Sequence, residues 1–319
     1  MPVAFKPPGE GKRRRKGVRI TILSIKDYAG SGYKLAEAIG RHTDHVVHFY
    51  TGRYKNVFNH PTGVHVTREN VADVQGIVDS SDIVHVKGDW PANDGYLGLK
   101  IMHKPTVQTV GGGFFRKKSH GGLERYKPGD YNATLKTAFT PDLCYNGYSD
   151  IWTPHPIDSN AVQNTWTKPP IPVLLHMPSN KAKKDTRFAV QVMEEVKRNI
   201  PCEIRVITGV DHKTSIEEKK RATIYFDQFK VGFYGNSAIE AMQYGVPTAC
   251  YIIDPAMKYI EHSPIISGVK NAEIMAGGII NILQSSMEEL SARTWEWCNG
   301  VHSYRAVARQ WNDLYAGIL

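Results

Sequence analysis

The feature that most constrains this chain is an alternation of short β-branched apolar runs with stretches of helical periodicity, met on both sides of a proline-rich middle. Residues 18–24 (VRITILS) are such a run and predict a buried strand. A glycine turn follows at 27–32 (DYAGSG), and residues 33–39 then carry apolar side chains at helical spacing. Strand, glycine turn and helix make the opening of a Rossmann-like unit. The pattern continues with strands predicted at 46–50, 82–86 and Thr106–Val110 and a helix at 70–79. In the second half it predicts strands at Val173–His176, 203–207, Ile224–Phe226 and 248–252, with helices at 185–198, 214–221 and 237–244. Residues 287–319 read as helical, with Trp295, Trp297, Trp311 and Tyr315 as large packing groups. Apolar runs of this kind, separated by helices, call for parallel sheets covered on both faces.

A length of 319 residues accommodates two such domains. Prolines at 154 and 156, and again at 169, 170 and 172, stiffen the chain and place the interdomain linker between them. The expected organisation is a basic leader at 1–16, an N-terminal Rossmann-like domain at 17–157 and a C-terminal one at 158–319. The final helix is a candidate for packing back on the N-terminal domain. Residues 111–130 break the alternation: five glycines precede Gly129, and aromatics are mixed with basic groups, which predicts a long surface loop.

No run of eighteen apolar residues exists to span a membrane, and no apolar segment behind the leader resembles a signal peptide. Cys144, Cys202, Cys250 and Cys298 have neither a CxxC nor a metal-site spacing. They read as buried free thiols in a reducing compartment, so the expected location is the cytoplasm, or the host cytoplasm if the chain is phage-encoded. The charge is uneven. Residues 1–157 carry 22 Lys and Arg against 14 Asp and Glu, while residues 158–319 carry 18 against 17. Five of the cations are the run Lys12, Arg13, Arg14, Arg15 and Lys16. Such a run suits a solvated tail, and it equally suits contact with a polyanion such as nucleic acid or an anionic membrane surface.

Two segments of the second half carry a more specific signal: LLHMPSNKAKKDT at 174–186 and IYFDQFKVGFYGNSAIEAMQYGVPTACY at 224–251. Their order is a strand, His-x-Pro-Ser-Asn, basic residues and a helix, then Asp-Gln, Gly-x-x-Gly, Glu-Ala-Met and Gly-x-Pro. In that combination the chain resembles the donor domain of retaining, family-four-like glycosyltransferases of GT-B fold, over roughly residues 170 to 255. Over 17–157 the likeness is architectural only. The resemblance implies an α/β fold of two Rossmann-like domains with parallel sheets facing across a cleft. It also implies a nucleotide-sugar substrate, a UDP-sugar, and no further cofactor.

The chemistry of such a donor explains the residue types. A departing diphosphate gains negative charge and needs cations and N–H donors fixed in advance. Ser179, Asn180, Lys181 and Lys184 lie where a loop opens a helix, and Lys181 and Lys184 are the catalytic candidates there. Lys183 and Lys184 also suit plain solvated lysines. Gly232 and Gly235 allow backbone to approach a ligand, with Asn236 beside them; tight turns need such glycines too. Glu240 falls one turn into the next helix, and in similar enzymes this carboxylate bonds the ribose hydroxyls. The family places a further glutamate eight residues earlier, where this chain has Gly232. Asp227 and Gln228 are candidates to supply polar contacts in its place, or simply to end the strand. No Asp-x-Asp pair is present to hold a divalent ion, so no metal is expected and the lysines supply the positive charge.

On the acceptor side, Gly30 and Gly32 resemble the glycine loop by which GT-B N-terminal domains approach the donor phosphates. Asp89 follows a predicted strand, where it could meet an acceptor hydroxyl or form a turn. His85 lies in an apolar alternation and reads as a core histidine; His155 and His176 suit a cleft or a packing role. Phe114 and Phe115 with Arg116, Lys117 and Lys118 would stack a flipped base and hold phosphates. They favour DNA carrying a hydroxylated base as the acceptor, as in phage-type glucosyltransferases of this fold. A lipid-linked or surface glycan at an anionic membrane is the alternative, and a non-catalytic nucleic-acid-binding protein on the same scaffold is a third.

Overall fold

The computed structural model describes residues 4–5, 17–52, 60–88, 96–101, 103–111, 133–144, 149, 151–158 and 163–319. Asp89, the acceptor candidates Phe114, Phe115, Arg116, Lys117 and Lys118, and all of the basic leader except residues 4–5 lie outside them. The chain divides into two compact units, Met1–Asp158 with Tyr304–Leu319, and Ser159–Ser303.

The first unit holds strands β1 (Ala4–Phe5), β2 (Arg19–Ser24), β3 (Val46–Thr51), β4 (Val64–His65), β5 (Ile83–Lys87), β6 (Thr106–Val110) and β7 (Leu135–Ala138). Their order is β1-β3-β2-β5-β6-β7, with β4 also paired to β3, and every pairing but β1–β3 is parallel. From β2 the chain runs outward to β3 and then crosses back to β5 on the other side of β2, so the strand order reverses beside β2. Helices α1 (Ser31–His42) and α2 (Val71–Ser80) make the crossovers. The period-2 alternation of each strand feeds two cores: Ile20, Ile22, Val47 and Phe49 with Leu35 and Ile39 of α1 on one face, and Leu23, Val84 and Val86 with Val74 and Val78 of α2 on the other.

The second unit runs β8 (Val173–His176), α3 (Lys181–Lys184), α4 (Thr186–Asn199), β9 (Glu203–Val206), α5 (His212–Lys220), β10 (Ile224–Phe226), α6 (Asn236–Met242), β11 (Thr248–Ala249), α7 (Asp254–Met257), α8 (Ala272–Leu283) and α9 (Met287–His302). Its four strands are all parallel, in the order β11-β10-β8-β9. The single helix predicted from residue 185 is preceded by a separate short turn, because Asp185 adopts a left-handed φ of 53° between α3 and α4. The strand predicted over 248–252 ends at Ala249. Asp211, Asn271 and Ser286 cap α5, α8 and α9 through the backbone N–H of Thr214, Ile274 and Glu289.

The chain then returns to the first unit as α10 (Tyr304–Ala316). Trp311 and Tyr315 are fully buried there, whereas Trp295 and Trp297 of α9 stay half-buried. Tyr304 N–H donates to Ile157 O at 3.0 Å, and its hydroxyl donates to Glu37 at 2.8 Å. His85 is a core histidine, held between Tyr315 Oη (2.7 Å) and Thr109 Oγ1 (2.6 Å). Burial pushes its pKa down to about 3. The four cysteines are free and buried. Among the described residues no helix is long and apolar enough to cross a membrane.

Candidate functional site

In open parallel sheets, ligand-binding residues come from the loops at the carboxyl ends of the strands. In the second unit those loops follow His176, Val206, Phe226 and Ala249. His176 ties three of these elements together. Its Nδ1 is 2.8 Å from Phe226 O, which can only accept, so Nδ1 carries the proton. Burial lowers its pKa, so Nε2 of the neutral ring accepts from the Thr186 hydroxyl at 3.0 Å. The ends of β8 and β10 and the start of α4 are thereby fixed to one another.

Of the loop candidates, Ser179 and Lys181 are exposed. Asn180 is exposed as well, and its side chain caps α3 by accepting the Lys183 N–H at 2.9 Å. Lys184 turns inward. Its side chain is 14% exposed, and Nζ donates at 2.6 Å to Oδ1 of Asp227, which is itself 0% exposed. The other Asp227 oxygen accepts the Gly235 N–H at 2.6 Å. A Cβ on Gly235 would stand 3.1 Å from Lys184 Nζ and 3.4 Å from Asp227 Oδ2, so the glycine makes room for the ammonium. A fully buried aspartate therefore sets the position of a lysine and of the turn that opens α6.

Gly232 has φ +88°, and a Cβ there would meet Ile253 Cγ2 at 2.6 Å. This site excludes the glutamate that the resembling family places there, on backbone and on packing grounds. Gln228 braces the loop instead: its side-chain Nε2 donates to Phe233 O, and its main-chain carbonyl accepts Tyr251 N–H at 2.9 Å. Asn236 follows Gly235, and its buried Oδ1 has no hydrogen-bond partner among the described residues. An orphaned buried acceptor of this kind calls for a donor from elsewhere.

Glu240 lies on α6, buried, with partners that sequence reading missed. Lys219 Nζ donates to its Oε2 at 2.6 Å and His212 Nε2 to its Oε1 at 3.0 Å. The available signal was the spacing of His212 and Lys219, two turns apart on one face of α5. A lysine in a polar helix is ordinarily solvated, so nothing local marked this one as buried.

The first unit has a related constellation. Gly30 is left-handed (φ +62°), and the Asp27 carboxylate accepts Gly32 N–H at 2.7 Å and Tyr33 N–H at 3.0 Å. Lys87 Nζ, from the carboxyl end of β5, donates to Asp27 Oδ1 at 3.0 Å. The N-terminus of α1 thus already holds an anion, supplied by the chain itself. His155 stacks on Phe139 with ring centroids 4.4 Å apart. Among the described residues no group of three or more His, Cys, Asp or Glu is placed to share a metal ion.

No protein-family model matches the chain, and no curated protein matches it in sequence. Solved structures do match in fold. An alpha-glucosyltransferase in complex with UDP-glucose and DNA containing an abasic site superposes with a TM-score of 0.62 at 12% identity, over 94% of this chain and 100% of that one. Sucrose-phosphate synthase from Thermosynechococcus elongatus gives 0.59 at 14% identity, over 94% and 99%. The Anabaena protein HepE in complex with UDP and glucose gives 0.58 at 11% identity, again over 94% and 99%. Likeness at this identity speaks for architecture, and the architecture is that of the GT-B fold.

Proposed function

We propose that the chain is a glycosyltransferase that moves a sugar from a UDP-sugar to an acceptor hydroxyl. The observation that carries this reading is the Asp227-anchored Lys184, half-sheltered at the carboxyl end of a parallel sheet beside a glycine kept open for it. A fixed ammonium costs no reorganisation when the diphosphate departs, which is what leaving-group stabilisation requires. In this reading Lys181 and Ser179 add contacts from the exposed loop, and Glu240 accepts from the ribose hydroxyls. Asn236 Oδ1, lacking a donor among the described residues, accepts from a sugar hydroxyl and takes over part of the role vacated at Gly232. Asp227 and Gln228 then act by bracing the loop rather than by touching the sugar.

For the acceptor, the favoured reading is a hydroxylated base in DNA. Its support is the charge excess of residues 1–157 and the DNA named in the complexes of two matching alpha-glucosyltransferase structures, one with an abasic site and one with an HMU base. Asp89 and the basic aromatic segment from Phe114 to Lys118 are the proposed acceptor contacts. Mass spectrometry of products from a panel of nucleotide sugars, offered with modified DNA and with lipid-linked glycans, tests both halves. Transfer to a glycan alone would replace the DNA reading. Lys184→Ala is expected to lower turnover tenfold or more, the cost of one transition-state contact being about 2–4 kcal/mol. Unchanged turnover in a folded variant would remove the diphosphate assignment.

A further inference from the structure

Helix α5 has an unusual way of docking. Its nine residues, HKTSIEEKK, include one aliphatic side chain, Ile216, and the one buried residue of the helix is Lys219. The Lys219 side chain is 1% exposed, and its Nζ lies 5.7 Å from the centre of the Tyr225 ring. Tyr225 is fully buried and shares a 2.6 Å hydrogen bond with Ser237 on α6. Where an amphipathic helix would present leucine or methionine, this one presents an ammonium to Glu240.

A buried ion pair is a poor means of gluing two helices, since an apolar pair of similar volume often does as well or better. What the pair does supply is orientation. A lone glutamate can rotate its carboxylate; here each oxygen has its own strut. Lys219 comes from the last turn of α5 and His212 from the first, and both reach one carboxylate on α6. The two struts differ in access: the His212 side chain is 32% exposed while that of Lys219 is sealed. The open side of the carboxylate is therefore the His212 side.

We infer that Lys219 and His212 are positioning residues that hold Glu240 as a fixed two-oxygen acceptor for a ribose diol, and that the preference for ribo- over 2′-deoxyribonucleotides resides in this triad. The inference rests on Glu240 serving as the ribose contact. A carboxylate held at both oxygens rewards two correctly spaced hydroxyls and gains less from one. Loosened, it can follow either ligand and discriminates less.

The test is calorimetric titration of UDP and 2′-deoxy-UDP into the full chain and into Lys219→Met and His212→Gln, with thermal unfolding recorded for each. The native chain is expected to bind UDP at least tenfold more tightly than the deoxy compound. Lys219→Met, which leaves the buried Glu240 carboxylate without its ammonium, should melt at a lower temperature yet stay folded at the temperature of titration, and lose tenfold or more in UDP affinity with less than a threefold change for 2′-deoxy-UDP. His212→Gln, half-exposed and safe for folding, should shift in the same direction by a smaller factor. Wild-type discrimination retained in both folded variants would overturn the inference while leaving the donor site standing. Should Lys219→Met fail to fold, an unchanged His212→Gln overturns it alone. Absence of nucleotide binding in the native chain would remove the glycosyltransferase reading and the triad's role with it.

Discussion

Each of the two units places a buried aspartate at the carboxyl end of its sheet, clamped between a lysine and a glycine N–H. In the first, Asp27 holds Gly32, Tyr33 and Lys87; in the second, Asp227 holds Gly235 and Lys184. The parts are alike and the uses differ. Asp27 takes two amides of the first turn of α1, so the positive end of that helix is satisfied by the chain itself. Asp227 takes one amide, and the same helix carries a second carboxylate, Glu240, with a second buried lysine. The first arrangement closes a turn. The second gathers four charged groups on and before one short helix, an excess over what closing a turn requires, and the one that the proposed donor site would use.

The contrast is broken or sharpened most directly by removing the closing aspartate. Asp27→Ala strands the Lys87 ammonium and two backbone donors, and breaking a buried pair in this way costs about 3–5 kcal/mol. Urea denaturation should show that loss; a midpoint within error of the native chain would mean that Asp27 does not hold the turn.

A smaller effect concerns acid. The His85 pKa, lowered from 6.5 to about 3 by burial, means that the unfolded chain binds the proton first as pH falls. The stability from keeping His85 neutral is fully present above pH 6.5 and is lost as pH falls through that value toward 3, a loss on the order of a few kcal/mol. His85→Gln should flatten the fall of the urea midpoint between pH 6.5 and 4. An identical slope in the variant would assign the acid sensitivity to other groups.

The finest test compares two glycines. A Cβ on Gly32 meets Phe49 at 2.7 Å and Asp27 Oδ1 at 3.0 Å, so Gly32→Ala should destabilise by about 1–3 kcal/mol. A Cβ on Gly235 would instead meet the far end of the Lys184 side chain at 3.1 Å, with Asp227 Oδ2 next at an ordinary contact distance of 3.4 Å. Gly235→Ala should leave stability within about 0.5 kcal/mol and lower sugar transfer several-fold, by displacing the ammonium. Equal losses of stability in both variants would erase the distinction between a closing turn and a binding turn.

Much of the fold was legible in the chain because periodicity is a local property. The runs at Thr106–Val110, Val173–His176 and Ile224–Phe226 are strands with those bounds, and the helix predicted over 214–221 forms at His212–Lys220. Other elements were not legible. Leu135–Ala138 alternates too briefly to announce a strand, and it pairs because β6 offers an edge. Ala272–Leu283 is apolar on most sides, so its helical period is masked.

At the candidate site the division is similar. The residue types of the 174–186 and 224–251 segments, and the absence of a glutamate at 232, follow from the sequence by itself. That Lys184 faces Asp227, 43 positions away, was decided by the parallel register of β8 with β10. Likewise, the partners of Glu240 were set by how α5 docks, with a lysine where periodicity would seek an apolar side chain. Apolar spacing reports which face is buried. It cannot report which buried charge meets which, because that pairing depends on side chains brought together only when the sheet and its helices have closed.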